Sequence, residues 1–336
     1  MCLCISNKKP LVAKKDIVVY KFVQIENGNY VTPFLNTPVK VNALMVAEDG
    51  SGDIVKESCR KYRIDEGAIH ACTSSYYDEF SYNVCLKAYI KEGTEFWVQD
   101  DFKQIAARSL YITDEVVTDK QNTNIIEFCK MFIDDAPTNK DGVRIGDVLL
   151  ADKTYVSPLG DFDKSKVIGY VSCFNPHDDS PIHVAIKNTY LPFLKDVLYN
   201  NSCHSLISSD KIEEDFDGYK HTYNIAKADD YKAELFNAIN YCINYKSEGT
   251  NKGDWYLGAT GELIAIAKNL IFINSAIILA GIGEIFNLNR SWSSSQHSDG
   301  QHVYLWNISL EDGDSNICGL NQYYEFQVRP LLTLIK

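Results

Sequence analysis

The longest apolar stretch of this chain, Leu270 to Ile285, sets the first constraint on its fold. A helix that crosses a bilayer needs about 20 consecutive apolar residues. This stretch is shorter and is broken by Asn274, Ser275 and glycines, so no membrane insertion is expected. The apolar residues must instead be buried in globular cores. With 336 residues, 45% hydrophobic and 23% charged, there is enough of them for two or three domains.

Charge narrows the partners. The formal net charge is −12, and only six of the 33 basic residues are Arg. A nucleic-acid binder needs a cationic stripe to displace counterions. No basic cluster occurs beyond Lys8-Lys9 and Lys14-Lys15, so no nucleic-acid partner is expected. The N-terminal run Met1 to Pro10 has no apolar core and no small-residue cleavage site. The expectation is a protein made for the cytosol or for a particle assembled there. The ten Cys are read mostly as small buried hydrophobes. Cys2-x-Cys4 lacks a second half with ligand spacing, so no zinc site is expected.

Periodicity gives the organisation. Ile17 to Val23 reads as a buried strand, Val84 to Ile90 alternates as a half-buried one, and Glu95 to Val98 and Ala107 to Val117 add two more. Residues 1–120 are therefore expected to form a small strand-rich α+β domain, with Thr118 to Asn124 as a polar linker. Beyond it, Ile125 to Ile133 has helix or strand potential. Ile145 to Leu150, Val156-Ser157 and Val167 to Phe174 read as short strands. Lys227 to Tyr245 reads as a helix with an apolar stripe, and Glu262 to Asn269 and Ser275 to Ala280 as a second helical region. From Ser291 the pattern returns to short strands, so residues 125–336 form a second α+β domain.

Several segments of this second part occur in a characteristic order. Gly142-Val143-Arg144-Ile145-Gly146-Asp147-Val148-Leu149-Leu150 precedes Lys153-Thr154-Tyr155-Val156-Ser157 and Ile168-Gly169-Tyr170-Val171. Gly253-Asp254-Trp255-Tyr256-Leu257, Gly261-Glu262-Leu263, Ser291-Trp292-Ser293-Ser294-Ser295-Gln296 and Val328-Arg329-Pro330 follow. The ordered set resembles the C-type-lectin-like domains of phage and bacterial surface proteins, closest to variable proteins diversified by retroelements. It covers roughly residues 140–336. The family's usual Pro-Ser pair is replaced here by Gly258-Ala259.

The resemblance implies a non-enzymatic binding protein whose face lies between Ser291 and Gln327. Its candidate ligand-binding residues are Gln296, His297, Ser298, Asp299, Gln301, His302, Tyr304, Asn307, Ser309, Asn321, Tyr323 and Tyr324. Small polar residues and tyrosines suit such a face, because Tyr gives contact area at low entropic cost. A set of polar turns between edge strands explains the same residues. Trp255, Trp292, Trp306 and Arg329 are expected as scaffold. The resemblance further implies a phage virion component (a fibre or decoration protein), a cell-surface protein or glycan of a host as ligand, contacts with other virion proteins, and a homo-oligomer. A bacterial adhesin or pilus-tip protein at the cell surface is the alternative.

Catalytic and metal chemistry has little support. Trp306-Asn307 is followed by Ile308, not Asp, so calcium-dependent sugar binding is not expected. Glu311-Asp312-Gly313-Asp314 reads as a hairpin turn, and His177-Asp178-Asp179 with His183 as a polar loop before a strand. Neither a catalytic residue nor a cofactor is expected. In the N-terminal domain, Ile69 to Ser75 and Glu92-Gly93-Thr94-Glu95 resemble the strand-and-acid layout of ADP-ribosyltransferase-like folds, which implies such an enzyme as a further alternative. Ordinary β-structure with a Glu-Gly turn accounts for the same residues.

Overall fold

Strand-forming stretches dominate both halves of the chain and, among the described residues, assemble into four sheets. The structure, a computed structural model, describes the chain apart from residues 1–2, 7–8, 34–36, 48–54, 57–61, 65–67, 76–83, 193–206, 209–210, 230, 232, 234–235, 299–302, 312, 320–323 and 335–336. The architecture is mixed α+β, with mostly antiparallel sheets and five α-helices among the described residues.

The first unit is Met1–Glu127. Its strands are β1 (Leu3–Ile5), β2 (Leu11–Val12), β3 (Ile17–Glu26), β4 (Asn29–Val31), β5 (Ala43–Val46) and β6 (Val55–Lys56). They continue with β7 (Tyr62–Ile64), β8 (Ile69–Cys72), β9 (Val84–Ile90), β10 (Glu95–Val98), β11 (Gln104–Ala107) and β12 (Ser109–Val116). Nine of them form one sheet in the order β2-β10-β11-β8-β3-β9-β12-β5, with β4 on β3; β1, β7 and β6 form another. The β-branched run of β3 pairs with β9 from Ile17↔Ile90 to Val23↔Val84. Asn27-Gly28 then turns β3 into β4, both residues at positive φ (49° and 78°), the geometry that favours this dipeptide in two-residue hairpins.

Thr118 to Asn124 is not a free linker. Thr123 donates its backbone N–H to Thr73 O at 2.7 Å and its hydroxyl to Val18 O at 2.7 Å, while Ser75 N–H bonds Gln121 O at 2.9 Å. The chain divides after Glu127 instead.

The second unit, Phe128–Lys336, takes in most of α1 (Ile126–Asp134). A six-stranded sheet, β14-β13-β15-β16-β23-β18, is built from β13 (Val148–Leu150), β14 (Tyr155–Val156), β15 (Val167–Phe174), β16 (Pro181–Ala185), β18 (Trp255–Tyr256) and β23 (Leu331–Thr333). A five-stranded sheet, β17-β22-β19-β20-β21, uses β17 (Thr189–Pro192), β19 (Arg290–Ser298), β20 (Val303–Ser309), β21 (Ser315–Gly319) and β22 (Glu325–Val328). Only the β19–β22 pairing is parallel among the described pairs.

The helices are α2 (Gly218–Ala226), α3 (Asn237–Asn244), α4 (Thr260–Lys268) and α5 (Leu270–Ala280). The expected helix over Lys227–Tyr245 is a correction: of the described residues there, only Asn237–Asn244 is helical, and Lys227 caps α2. Phe236 leaves helical geometry (ψ 65°) and puts its ring into a core with Ile225, Ile239, Trp292, Leu305 and Val328. Tertiary burial of that ring outweighs the helical stripe.

Most of the apolar stretch Leu270 to Ile285 forms α5, buried along nearly its whole length. Asn274 does not break it, because its side chain closes two bonds with Phe286: it donates to the carbonyl at 3.1 Å and accepts from the N–H at 2.7 Å. A buried amide satisfied in this way carries no desolvation penalty of an orphan group. Gly281, at φ +67°, ends the helix. No single helix among the described residues is long and apolar enough to cross a membrane; α4 and α5 are bent by 69° to one another.

Candidate ligand-binding site

The candidate site rests on β19, which carries Ser291-Trp292-Ser293-Ser294-Ser295-Gln296. Its pairing with β20 slips between Trp292↔Asn307 and Gln296↔Leu305, so that four steps along β19 meet two along β20. The bulge frees serines from the ladder to bond elsewhere. Ser294 N–H reaches Gly258 O at 2.8 Å, and Ser293 Oγ lies 3.0 Å from Thr260 Oγ1. Ser295 Oγ accepts from Thr260 N–H at 3.0 Å and donates to Asp215 Oδ2 at 2.5 Å. The small residues Gly258-Ala259 sit at this junction. Gly261 is required there: a Cβ would meet Asp215 O at 2.5 Å and Glu213 O at 2.8 Å.

Asp215 is the hub of this buried bracket. Its Oδ1 accepts from His221 Nε2–H at 2.8 Å and from Asp217 N–H at 3.3 Å. Burial pushes the carboxyl upward, but the bonds from His221, Ser295 and Asp217 outweigh it and hold the pKa below the usual range. The trio of Ser295, His221 and Asp215 is not a nucleophile–base pair. The serine hydrogen bonds one oxygen of the carboxylate, and the histidine sits on the other oxygen, so the imidazole does not reach the hydroxyl as it does in a serine–histidine pair. The arrangement braces β19 against the start of α4.

Glu262 adds a second buried carboxyl. Its Oε2 accepts from Ala259 N–H at 2.7 Å, and its Oε1 from Tyr256 O–H at 2.8 Å, with Thr333 Oγ1 at 2.9 Å from the same phenol. Burial nevertheless raises its pKa from 4.5 to about 8. The folded chain then holds a proton that the unfolded chain releases, so this contribution is full below pH 4.5 and is lost as pH rises toward about 8. Glu262→Gln keeps the neutral shape and removes the titration, so a loss on the order of 5 kcal/mol, the size of a shift from 4.5 to about 8, should be absent from the variant. Denaturant unfolding of parent and variant across this window is the check, and identical pH slopes would contradict it.

The expected binding residues are divided by strand alternation. His297 pairs with Tyr304, their ring centroids 6.2 Å apart, and His297 meets Trp306 edge-on at 5.8 Å. His297, Ser298 and Tyr304 are half-buried. Gln296, Asn307 and Ser309, expected to be exposed, are buried, because a two-residue period sends them to the other face. There Asn307 accepts from Arg290 Nη1 at 2.7 Å and donates to Asn316 O at 3.1 Å. Tyr324 is 50% exposed and stacks on Phe326 at 5.5 Å, which leans on Trp292 at 4.5 Å; this places it with the Trp292 side. Asp299, Gln301, His302, Asn321 and Tyr323 lie outside the described residues.

The four scaffold residues, Trp255, Trp292, Trp306 and Arg329, are all buried. Trp255 Nε1 donates to Thr250 Oγ1 at 3.1 Å, and Trp292 Nε1 to Leu191 O at 2.9 Å. Arg329 donates to the carbonyls of Ala185 at 2.7 Å and Glu284 at 2.6 Å and lies 4.1 Å over the Phe286 ring. The side chain thus ties three chain segments of this unit together.

The other candidates fall apart in space. His183 leaves its polar loop for the core of β16, and among the described residues no group of three or more His, Cys, Asp or Glu comes together to hold a metal. Gly313, at φ +75°, helps close the β20–β21 turn, with its N–H on Ser309 O at 2.8 Å. Cys72, Cys85, Cys129, Cys173 and Cys242 are free and buried. In the first unit Cys72 packs with Tyr20, Phe22, Cys85 and Val117, and Gly93 makes a turn at φ +83°.

Asp215, His221 and Thr260 escaped the sequence reading, because each lies 33 or more positions from the serines it holds or supports. The one local signal was Gly261 beside Thr260. Comparison with protein-family models, with curated proteins and with solved structures finds no match.

Proposed function

We propose that this chain is a non-enzymatic ligand-binding protein, its second unit of the C-type-lectin-like kind, and that it recognises its ligand through His297, Ser298 and Tyr304. The observation that carries the reading is the half-buried His297–Tyr304 pair over the buried Trp306, on a strand anchored by the Asp215–Ser295–Thr260 bracket. An aromatic strip held on a rigid support loses little conformational entropy on binding, which is what a recognition surface needs. The ordered motifs of residues 140–336 support a place in a phage virion, as a fibre or decoration protein. There a homo-oligomer would multiply weak contacts with a cell-surface protein or glycan of the host. This part rests on analogy of sequence alone.

The test is binding of the purified chain to intact cells of the host bacterium. His297→Ala with Tyr304→Ala is expected to weaken binding by at least about tenfold, the scale of an aromatic hot spot, with unchanged thermal unfolding. Undiminished binding by the folded double variant would overturn the assignment of this face.

A further inference from the structure

Strand β5 closes one side of the nine-stranded sheet in the first unit, paired among the described residues with β12 alone. An edge strand offers its outer row of N–H and C=O groups to any other strand, and proteins ordinarily blunt such edges with charge or proline. Ala43-Leu44-Met45-Val46 carries neither. Leu44 is 53% exposed and Val46 62%. Leu44 ends a row that crosses four strands: it pairs with Tyr111, Tyr111 with Tyr89, and Tyr89 with Val18. Those three inner residues are half-buried, so apolar and aromatic surface runs up to the edge itself.

The edge is complementary to itself. Ala47 N–H bonds Arg108 O at 3.0 Å, which sets the phase of the antiparallel ladder. By that phase Ala43 and Met45 bond to β12, and Leu44 and Val46 turn their N–H and C=O groups outward. A second β5, antiparallel about a twofold axis at Met45, sets Leu44 opposite Val46 of the partner subunit and Val46 opposite Leu44 of the partner subunit. All the outward groups of both strands are then bonded, and four aliphatic side chains meet on one face. A register shifted by one residue would oppose outward groups to inward ones.

Charge favours the same pairing. Lys87 with Glu115, 3.1 Å apart, and Lys91 with Asp16 border the row, so its flanking cations are already neutralised. In the sequence Lys40 precedes the strand and Glu48-Asp49 follow it. An antiparallel copy directs the basic flank of each chain toward the acidic flank of the other, whereas a parallel copy would set like on like. We propose that β5 is a dimerisation edge: two copies of this chain join β5 to β5 antiparallel and continue the sheet through the contact. The interface belongs to the first unit, uses none of the residues assigned to ligand recognition, and does not depend on that assignment.

Sedimentation velocity of the full chain over about a hundredfold range of micromolar concentration is the test, because a contact this short lies below the standard interface size and should dissociate on dilution. The parent is expected to shift from one chain mass toward two. Leu44→Lys with Val46→Lys puts like charges on both sides of the twofold axis and should weaken the dimer by at least about tenfold. Both positions are exposed, so circular dichroism and thermal unfolding should match the parent. Ile25→Lys, at a residue 60% exposed on β3, should leave the dimer unchanged and so separates this edge from general apolar association. The proposal is overturned if the parent stays monomeric at every concentration, if the Leu44/Val46 variant dimerises as well as the parent, or if Ile25→Lys disrupts the dimer equally. His297→Ala with Tyr304→Ala should leave the mass unchanged, so loss of cell binding in that variant bears on the strip alone.

Discussion

Asp215→Ala is expected to destabilise the second unit by about 3–5 kcal/mol, the cost of removing one member of a buried, charged hydrogen-bond network. The reason is the asymmetry of the bracket. The carboxylate accepts from Ser295 Oγ at 2.5 Å and from His221 Nε2 at 2.8 Å, and both donors are buried. Without it both lose this acceptor while staying out of water. Ser295→Ala removes one donor and leaves the carboxylate with His221, so it should cost only about 1–2 kcal/mol. For a unit of this size the Asp215→Ala loss corresponds to a fall in Tm of roughly 10 °C. Thermal unfolding of both variants decides the matter: if Asp215→Ala costs no more than Ser295→Ala, the bracket is not what holds β19 on α4.

Acid should weaken the same unit through His183. This side chain is buried between Tyr155, whose O–H lies 2.9 Å from Nε2, and Leu332, whose carbonyl lies 2.8 Å from Nδ1. A carbonyl only accepts, so Nδ1 carries the proton and Nε2 takes the phenol hydrogen. The stacked Tyr155 ring, 5.6 Å away, and the complete burial of the side chain disfavour a charged imidazole. Burial lowers its pKa from 6.5 to about 4.

The sign follows from proton counting. Between these values the unfolded chain binds a proton that the folded chain refuses, so stability is full above pH 6.5 and falls as pH drops to about 4. The loss is roughly 3 kcal/mol. His183→Asn removes the titration, and its unfolding free energy should fall by that much less than the parent's over the same window. Parallel curves would refute the role given to His183. Glu262 acts in the opposite direction, so the two buried groups pull the stability optimum from both sides.

Legibility differed by type of signal. β9 matches the segment read from alternation, because a half-buried strand writes its period into the chain locally. The polar interruptions of α5 looked like breaks until Asn274 was seen to bond Phe286, twelve residues away. The site was legible only as a segment. Reading Ser291 to Gln327 as one face ignored alternation: Asn307 and Tyr304 lie three apart on one strand and face opposite ways.

The sequence by itself determined that the chain is α+β, where several of its strands lie, and that Trp255, Trp292, Trp306 and most cysteines have apolar surroundings to seek. These follow from local periodicity and from the free energy of burying apolar surface, which each segment carries alone. Only the tertiary structure decided which serines are anchors and that Asp215 and His221 belong beneath β19. Those depend on contacts between distant segments, and hydrogen-bond partners chosen across 35 to 80 residues leave no period in the chain.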